Sequence, residues 1–376
     1  MLSKIGVFIA GLRYKIKLKL GLIRTPKILP YRGFGNTRTL VLRGRVLEDK
    51  RIAKPLQTNS IWHNILAMYK RYTSEDIPYA TIQATFQNQT KEICANRQGY
   101  FLVTFHPDAP LANGQDWYDI HLRLKNKITK QQGEVVAVGQ VLVNKNNAFG
   151  IISDVDDTIL ISSATNLRQK LRLMLLKNAH TRMPFKGVAA FYNALQEGKE
   201  GNCHNPIFYV SSSSWNLYDL LIDFCEVKGI PKGPFLLRDS RLDEFKFISS
   251  IHKKHKLEKI ENIMDLNKNL PFILIGDSGQ RDPEIYKEVA LSYPGKILAI
   301  YIRDIGNESR EAELAALGLS VKELGIDFLL VKDTEEAALH AIEQGYISPF
   351  ALPDIIGEKE NDKKEGSGIE QILDAQ

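Results

Sequence analysis

From Thr39 to Val143 the chain tends to alternate apolar and polar positions. Ile82, Ala84 and Phe86 are separated by polar residues, and Trp117–Leu124 alternates again. Thr39–Leu47 is rich in Leu and Val, Tyr100–Phe105 follows the turn Asn96-Arg97-Gln98-Gly99, and Val135–Val143 follows Gly133. A period of two is that of a strand with one buried face. Several short strands at this spacing predict a small β-sandwich-like domain over residues 37–145. One helix interrupts it, with Ile61, Ile65, Met68, Tyr69 and Tyr72 on one face and Asn59 or Ser60 as cap. Asn144–Asn147 is a polar hinge.

From residue 146 the pattern changes. Gly150-Ile151-Ile152, Ile207–Val210, Phe235-Leu236-Leu237, Phe272–Ile275, Ile297–Ile302 and Phe328–Val331 are apolar runs without alternation. Such runs suit strands covered on both faces. Helical stretches lie between them, among them Leu217–Glu226, Pro283–Leu291 and Arg310–Leu317. Strand–helix alternation predicts an α/β domain over residues 146–350, a parallel sheet with helices on both faces. The charged, glycine-containing end, residues 357–376, is expected to be a disordered tail.

Charge matters mainly through its placement. The formal net charge of the 376 residues is +6, yet Met1–Phe34 carries Lys4, Arg13, Lys15, Lys17, Lys19, Arg24, Lys27 and Arg32 and no acid. Residues 1–36 therefore read either as a basic arm suited to an anionic membrane surface or as an edge strand guarded by lysines. Cys94, Cys203 and Cys225 are too few and too scattered for a disulfide framework or a zinc site. No apolar run approaches the ~18–20 residues of a membrane span. A cytoplasmic protein, peripheral on a membrane and without a nucleic-acid partner, is the expectation. His63, His106 and His121 are isolated and read as structural.

The chemistry gathers at predicted strand ends. Phe149–Leu160 reads Phe-Gly-Ile-Ile-Ser-Asp-Val-Asp-Asp-Thr-Ile-Leu. In an extended chain Asp154 and Asp156 project to one side. Two such acids repel unless a cation or a raised pKa relieves them, and magnesium is the simplest relief. Ser211 follows the next strand, at the head of Ser211-Ser212-Ser213-Ser214, where a hydroxyl can donate to a phosphoryl oxygen. Lys256, in His252-Lys253-Lys254-His255-Lys256 at an expected helix start, can offset phosphoryl charge. Gly276-Asp277-Ser278-Gly279-Gln280-Arg281-Asp282 follows the fourth strand and adds two carboxylates, with glycines that let the loop bend closely.

This order of acid pair, hydroxyl, lysine and acid pair resembles the four motifs of the haloacid dehalogenase-like superfamily. Tyr209–Tyr218, Leu237-Arg238-Asp239, His255-Lys256-Leu257, Leu274–Gln280 with Asp282–Tyr286, and Ile300–Asp304 narrow the resemblance to the catalytic domain of actin-patch-protein-type phosphatidate phosphatases. Ser214 departs from it, standing where proline is expected before the tryptophan. The resemblance implies a Rossmann-like, haloacid dehalogenase-like sheet and magnesium-dependent conversion of phosphatidate to diacylglycerol. It further implies that Asp154 is the nucleophile and Asp156 the acid and base. Thr158 would fix the loop, and Ser211 and Lys256 would position the phosphoryl group. Magnesium would be held by Asp154, the Asp156 carbonyl and Asp277, with Asp282 orienting Asp277 or a metal-bound water. Ser212 and Ser213 are candidate substrate contacts.

Residues 162–186 would form a small helical cap. Within it, Arg168, Lys170 and Arg172 lie on a basic helix that either seats in lipid headgroups or packs its leucines on the core. Three further readings compete: a phosphatase of a soluble ester or phosphoprotein, a Gly-Asp-Ser esterase using Ser278, and a non-enzymatic membrane-associated adaptor.

Overall fold

The computed structural model of the chain describes residues 17, 20, 23–50, 76–111, 115–130, 132–145, 147–155, 187–238, 249–306 and 310–361. The expected helix at 59–72 and the cap at 162–186 lie outside them. The chain divides into two compact units, residues 1–145 with 216–218 and 239–247, and the remainder.

The first unit is built on eight strands: β1 (Pro26–Pro30), β2 (Gly33–Asn36), β3 (Thr39–Glu48), β4 (Thr81–Phe86), β5 (Gln89–Cys94), β6 (Tyr100–Phe105), β7 (Trp117–Leu124) and β8 (Val136–Asn144). Two expectations need correction. The arm 1–36 includes β1 and β2, which are strands of the sheet. Among its described residues the unit is also one hydrogen-bonded sheet rather than two stacked ones. It is mixed, because β2 runs parallel to β8 while the other pairs are antiparallel. β3 is long enough to pair with β1, β2 and β6 at once. The sheet is rolled so that β5 faces β6, with Lys91 Nζ donating to the Thr104 carbonyl at 2.7 Å. Inside the roll the alternating faces of β4 and β7 bury Ile82, Ala84, Phe86, Ile120 and Leu122 with Leu40, Leu42 and Phe105. Asn36 starts the β2–β3 turn by accepting from the backbone N–H of Arg38 and Thr39, an Asx turn.

Among its described residues the second unit holds six parallel strands: β9 (Gly150–Asp154), β10 (Ile207–Ser214), β11 (Phe235–Arg238), β12 (Phe272–Asp277), β13 (Ile297–Arg303) and β14 (Asp327–Val331). Their order is β11-β10-β9-β12-β13-β14. In chain order that is 3-2-1-4-5-6, the doubly wound arrangement, and the direction of winding reverses between β9 and β12. Every residue of β9 and β12 is buried, which requires cover on both faces.

The cover comes from α1 (Val188–Glu197), α2 (Tyr218–Val227), α3 (Ser249–Leu266), α4 (Asp282–Ser292), α5 (Glu311–Lys322) and α6 (Thr334–Glu343). α3, α4 and α5 pack successively on one another, while α1 packs on α6. The α/β expectation holds, with a parallel sheet in this unit and a mixed sheet in the first.

The tail expectation is corrected at its start. Residues 352–361 are helical, Ile355 is fully buried, and Lys359 pairs with Asp333 and Glu335. Among the described residues no helix is long and apolar enough to cross a membrane.

Candidate active site

The apolar run Ile151-Ile152 makes β9 a buried strand and delivers Asp154 at its carboxyl end. Beside it, Phe272–Ile275 does the same for Asp277 on β12. These two ends flank the point where the winding reverses, the place where open α/β sheets bind ligands. Asp282 opens α4 and is fully buried, although it lies only five residues past Asp277. Gly276 permits this. A Cβ there would lie 2.5 Å from Asp282 Oδ2 and 2.7 Å from its Cβ.

Lys256 reaches the group from α3. It sits well inside that helix, not at the expected helix start. Its ammonium donates to Asp154 Oδ1 at 2.7 Å and also to Asp282. Asp282 Oδ2 in turn accepts from the Asp277 backbone N–H at 3.2 Å. Single carboxylate oxygens of Asp154, Asp277 and Asp282 lie within 4.8 Å of one another.

Burial and the neighbouring Asp282 push Asp154 well above the usual carboxylate range, with Lys256 pulling the other way. Asp277 is pushed up for the same two reasons, against Lys256 and the N–H groups of Gly279 and Gln280. Burial disfavours the Lys256 ammonium, but Asp154 and Asp282 outweigh it, and its pKa is raised.

Ser211 lies one residue beyond Val210, which is in register with Asp154. The strand continues through Ser214, so the serines are strand residues rather than a loop. The Ser211 hydroxyl accepts from the Ser213 N–H at 2.9 Å. Ser212 is half-buried and Ser213 buried. Asp156, Thr158, Arg168, Lys170 and Arg172 lie outside the described residues.

Sequence reasoning missed three groups. Gln280 donates from its side-chain amide to Asp154 Oδ2 at 3.3 Å, Lys259 donates to the Ser211 carbonyl at 2.9 Å, and Arg310 grips the loop after β12. Lys259 follows Lys256 by three residues, one helical turn, which was a usable signal. Ser278 is fully buried and its hydroxyl accepts from the Ile305 N–H at 3.0 Å. That placement suits a loop brace, not an esterase nucleophile.

Fold and site together define a doubly wound α/β domain with a buried carboxylate–ammonium cluster at its switch point. Residues 149–304 match the family model for the phosphatidate phosphatase APP1 catalytic domain, so the resemblance to actin-patch-protein-type phosphatidate phosphatases holds over that segment. Phosphatidate phosphatase APP1 of Saccharomyces cerevisiae is 33% identical over 159 residues, which are 42% of this chain and 26% of that protein. An uncharacterized protein of Schizosaccharomyces pombe is 24% identical over 262 residues, 64% of this chain and 40% of that protein. The chain thus spans well under two thirds of these relatives. A carbohydrate acetylesterase from Xanthomonas citri overlaps 77% of this chain and 72% of its own at 14% identity, with a TM-score of 0.25, too low to bear on the fold.

Proposed function

We propose that this chain is a magnesium-dependent phosphatase that converts phosphatidate to diacylglycerol through an aspartyl-phosphate on Asp154. The observation that carries this reading is the buried cluster of Asp154, Asp277, Asp282 and Lys256 inside the segment that matches the APP1 catalytic domain. Its donor set fits a magnesium ion. Three buried carboxyl groups share one ammonium, and oxygen donors suit a hard divalent cation. Asp154 and Asp277 would hold it, with Asp282 orienting Asp277. Bound there, the ion would neutralise phosphoryl oxygens as charge shifts during displacement.

The chain's own groups supply the rest. Asp154 forms the new bond to phosphorus while the bond to the glycerol oxygen breaks. The leaving oxygen takes a proton from Asp156, which then removes one from the water that hydrolyses the acyl phosphate. Lys256 and Gln280 each hold one oxygen of Asp154, fixing the carboxylate for in-line attack. Ser211, with one lone pair committed to Ser213, keeps its O–H to donate to a phosphoryl oxygen. Thr158 steadies the loop after Asp154. The cations of residues 1–36 and Arg168, Lys170 and Arg172 are the segments proposed to meet an anionic bilayer at the cytoplasmic side.

The test is phosphate release from phosphatidate vesicles and from a soluble aryl phosphate, each with and without magnesium, with Asp154→Asn as control. Release from phosphatidate that needs both magnesium and Asp154 supports the reading. Turnover of the soluble ester alone moves the substrate class. No release from either removes the catalytic assignment.

A further inference from the structure

Arg310 lies six residues beyond the segment that matches the APP1 catalytic domain. It stands at the start of α5. Its Nη1 donates to the Ser278 carbonyl at 2.8 Å and to the Gln280 carbonyl at 2.7 Å. Nη2 pairs with Glu284 in the first turn of α4, and Nε donates to Glu313 at 3.3 Å. One guanidinium thus ties the outside of the loop Asp277–Asp282 to the helix that Asp282 begins.

The inside of the same loop is wound on its own carboxylate. Asp277 Oδ1 accepts from the Gly279 N–H at 2.8 Å and from the Gln280 N–H at 3.0 Å. Three site groups depend on how tightly this loop curves: Asp277 at its start, Gln280 with its amide on Asp154, and Asp282 at its end. Ile305 closes the remaining side, since a Cβ on Gly279 would lie 2.5 Å from Ile305 Cδ1. The loop is therefore wrapped on a carboxylate within and stapled by a cation without. A guanidinium serves because it stays charged and its planar fork reaches two carbonyls and a carboxylate at once. A single ammonium has no such geometry.

We infer that Arg310 is a positioning residue that holds the Asp277–Asp282 loop in its cation-binding curvature. This rests on the proposed reading of the carboxylate cluster as a magnesium site. Groups that hold metal ligands in place typically set affinity by about 10- to 100-fold, and Arg310 acts on Asp277 and Asp282 through the Ser278 and Gln280 carbonyls that lie between them.

The experiment compares wild type, Arg310→Ala, Arg310→Lys and Arg281→Ala as full chains. Arg281 is exposed and serves as the neighbouring control. Two readouts are taken: the magnesium concentration that half-saturates the rise in thermal midpoint, and amide exchange at Gly279 and Gln280 without metal. Arg310→Ala should raise the half-saturating concentration by about 10- to 100-fold and speed both amides. Arg310→Lys should fall between, and Arg281→Ala should match wild type. Turnover of Arg310→Ala should recover towards wild type as magnesium is raised, which a general loss of folding would not do.

Unchanged exchange together with unchanged magnesium dependence in Arg310→Ala overturns the inference. An equal change in Arg281→Ala overturns it too. If wild type shows no magnesium response, the magnesium reading of the site fails, and faster exchange in Arg310→Ala then leaves Arg310 a brace with no metal to serve, which also overturns the inference as stated.

Discussion

Replacing Lys256 by methionine removes the ammonium that bonds both Asp154 and Asp282 while keeping a side chain of similar reach. The side chains of Lys256, Asp154 and Asp282 are 4%, 2% and 1% exposed, so water screens the change little. Removing one partner of a buried ion pair costs about 3–5 kcal/mol, and here two carboxylates lose the same partner. In a domain of this size each kcal/mol moves the thermal midpoint by about 2–4 °C. A fall of roughly 6–20 °C is therefore expected in the transition of the second unit without metal.

The pH dependence gives the sharper test. Burial and Asp282 already raise the Asp154 pKa, and Lys256 opposes them. Without Lys256 the folded value climbs further above the ~3.9 of an unfolded aspartate. The folded state then holds a proton that the unfolded chain has released. Stability is full below the unfolded value and is lost as pH rises through the folded one. The deficit of the variant should grow as pH rises above the ordinary aspartate range and shrink as pH falls back towards it. Magnesium should return more of the midpoint in the variant than in wild type, because a cation replaces the missing charge. Calorimetric scans of both proteins at several pH values, with and without magnesium, measure all of this. A loss under about 2 °C at the alkaline end, or a deficit that does not vary with pH, would refute the electrostatic account of the cluster.

Gly276→Ala places a methyl 2.7 Å from Asp282 Cβ, so strain of about 1–3 kcal/mol and a large loss of phosphate release are expected, read by thermal scan and by phosphate assay. Ser278→Ala deletes the acceptor for the Ile305 N–H at about 1 kcal/mol and should leave most phosphate release intact; abolished hydrolysis would reinstate Ser278 as a reacting group. Asp333 caps α6 through the N–H groups of Glu335 and Glu336 and binds Lys359. Burial raises the pKa of Asp333, but these bonds outweigh it and hold the value below the usual range. Asp333→Ala should cost about 1 kcal/mol near neutrality, and the difference should fade as pH drops below about 3.9 through the folded value, where wild type loses the same contribution. Thermal midpoints across that range check the last point.

The parts of the site that were legible in the sequence share one physical cause. Parallel strands deliver all their carboxyl ends to one edge, so an apolar run followed by an acid locates that acid without any contact being known. Asp154 after Ile151-Ile152 and Asp277 after Phe272–Ile275 were readable in this way. Two of the three groups that were missed, Lys259 and Arg310, depend on backbone partners with no side-chain signature. Arg310 bonds two backbone carbonyls, and any residue type presents a carbonyl.

The misread boundaries follow a related rule. Ser211–Ser214 has weak strand propensity, yet β10 runs on to Ser214, which pairs with Arg238 of β11 beyond an irregularity after Val210, so a neighbouring strand overrides local preference. The basic charge of residues 1–36 suggested an arm, but β1 is an edge strand paired to β3 alone, the position where its Pro26 and Pro30 are tolerated. Charge in residues 357–361 suggested disorder, but Lys359 is spent on Asp333 and Glu335, and Glu358 accepts from the Ala190 N–H at the start of α1. In each case a local signal was read correctly and then outvoted by a partner distant in sequence. Asp154 and Asp277 escaped that fate because what places them is the direction of a strand, and direction is written locally.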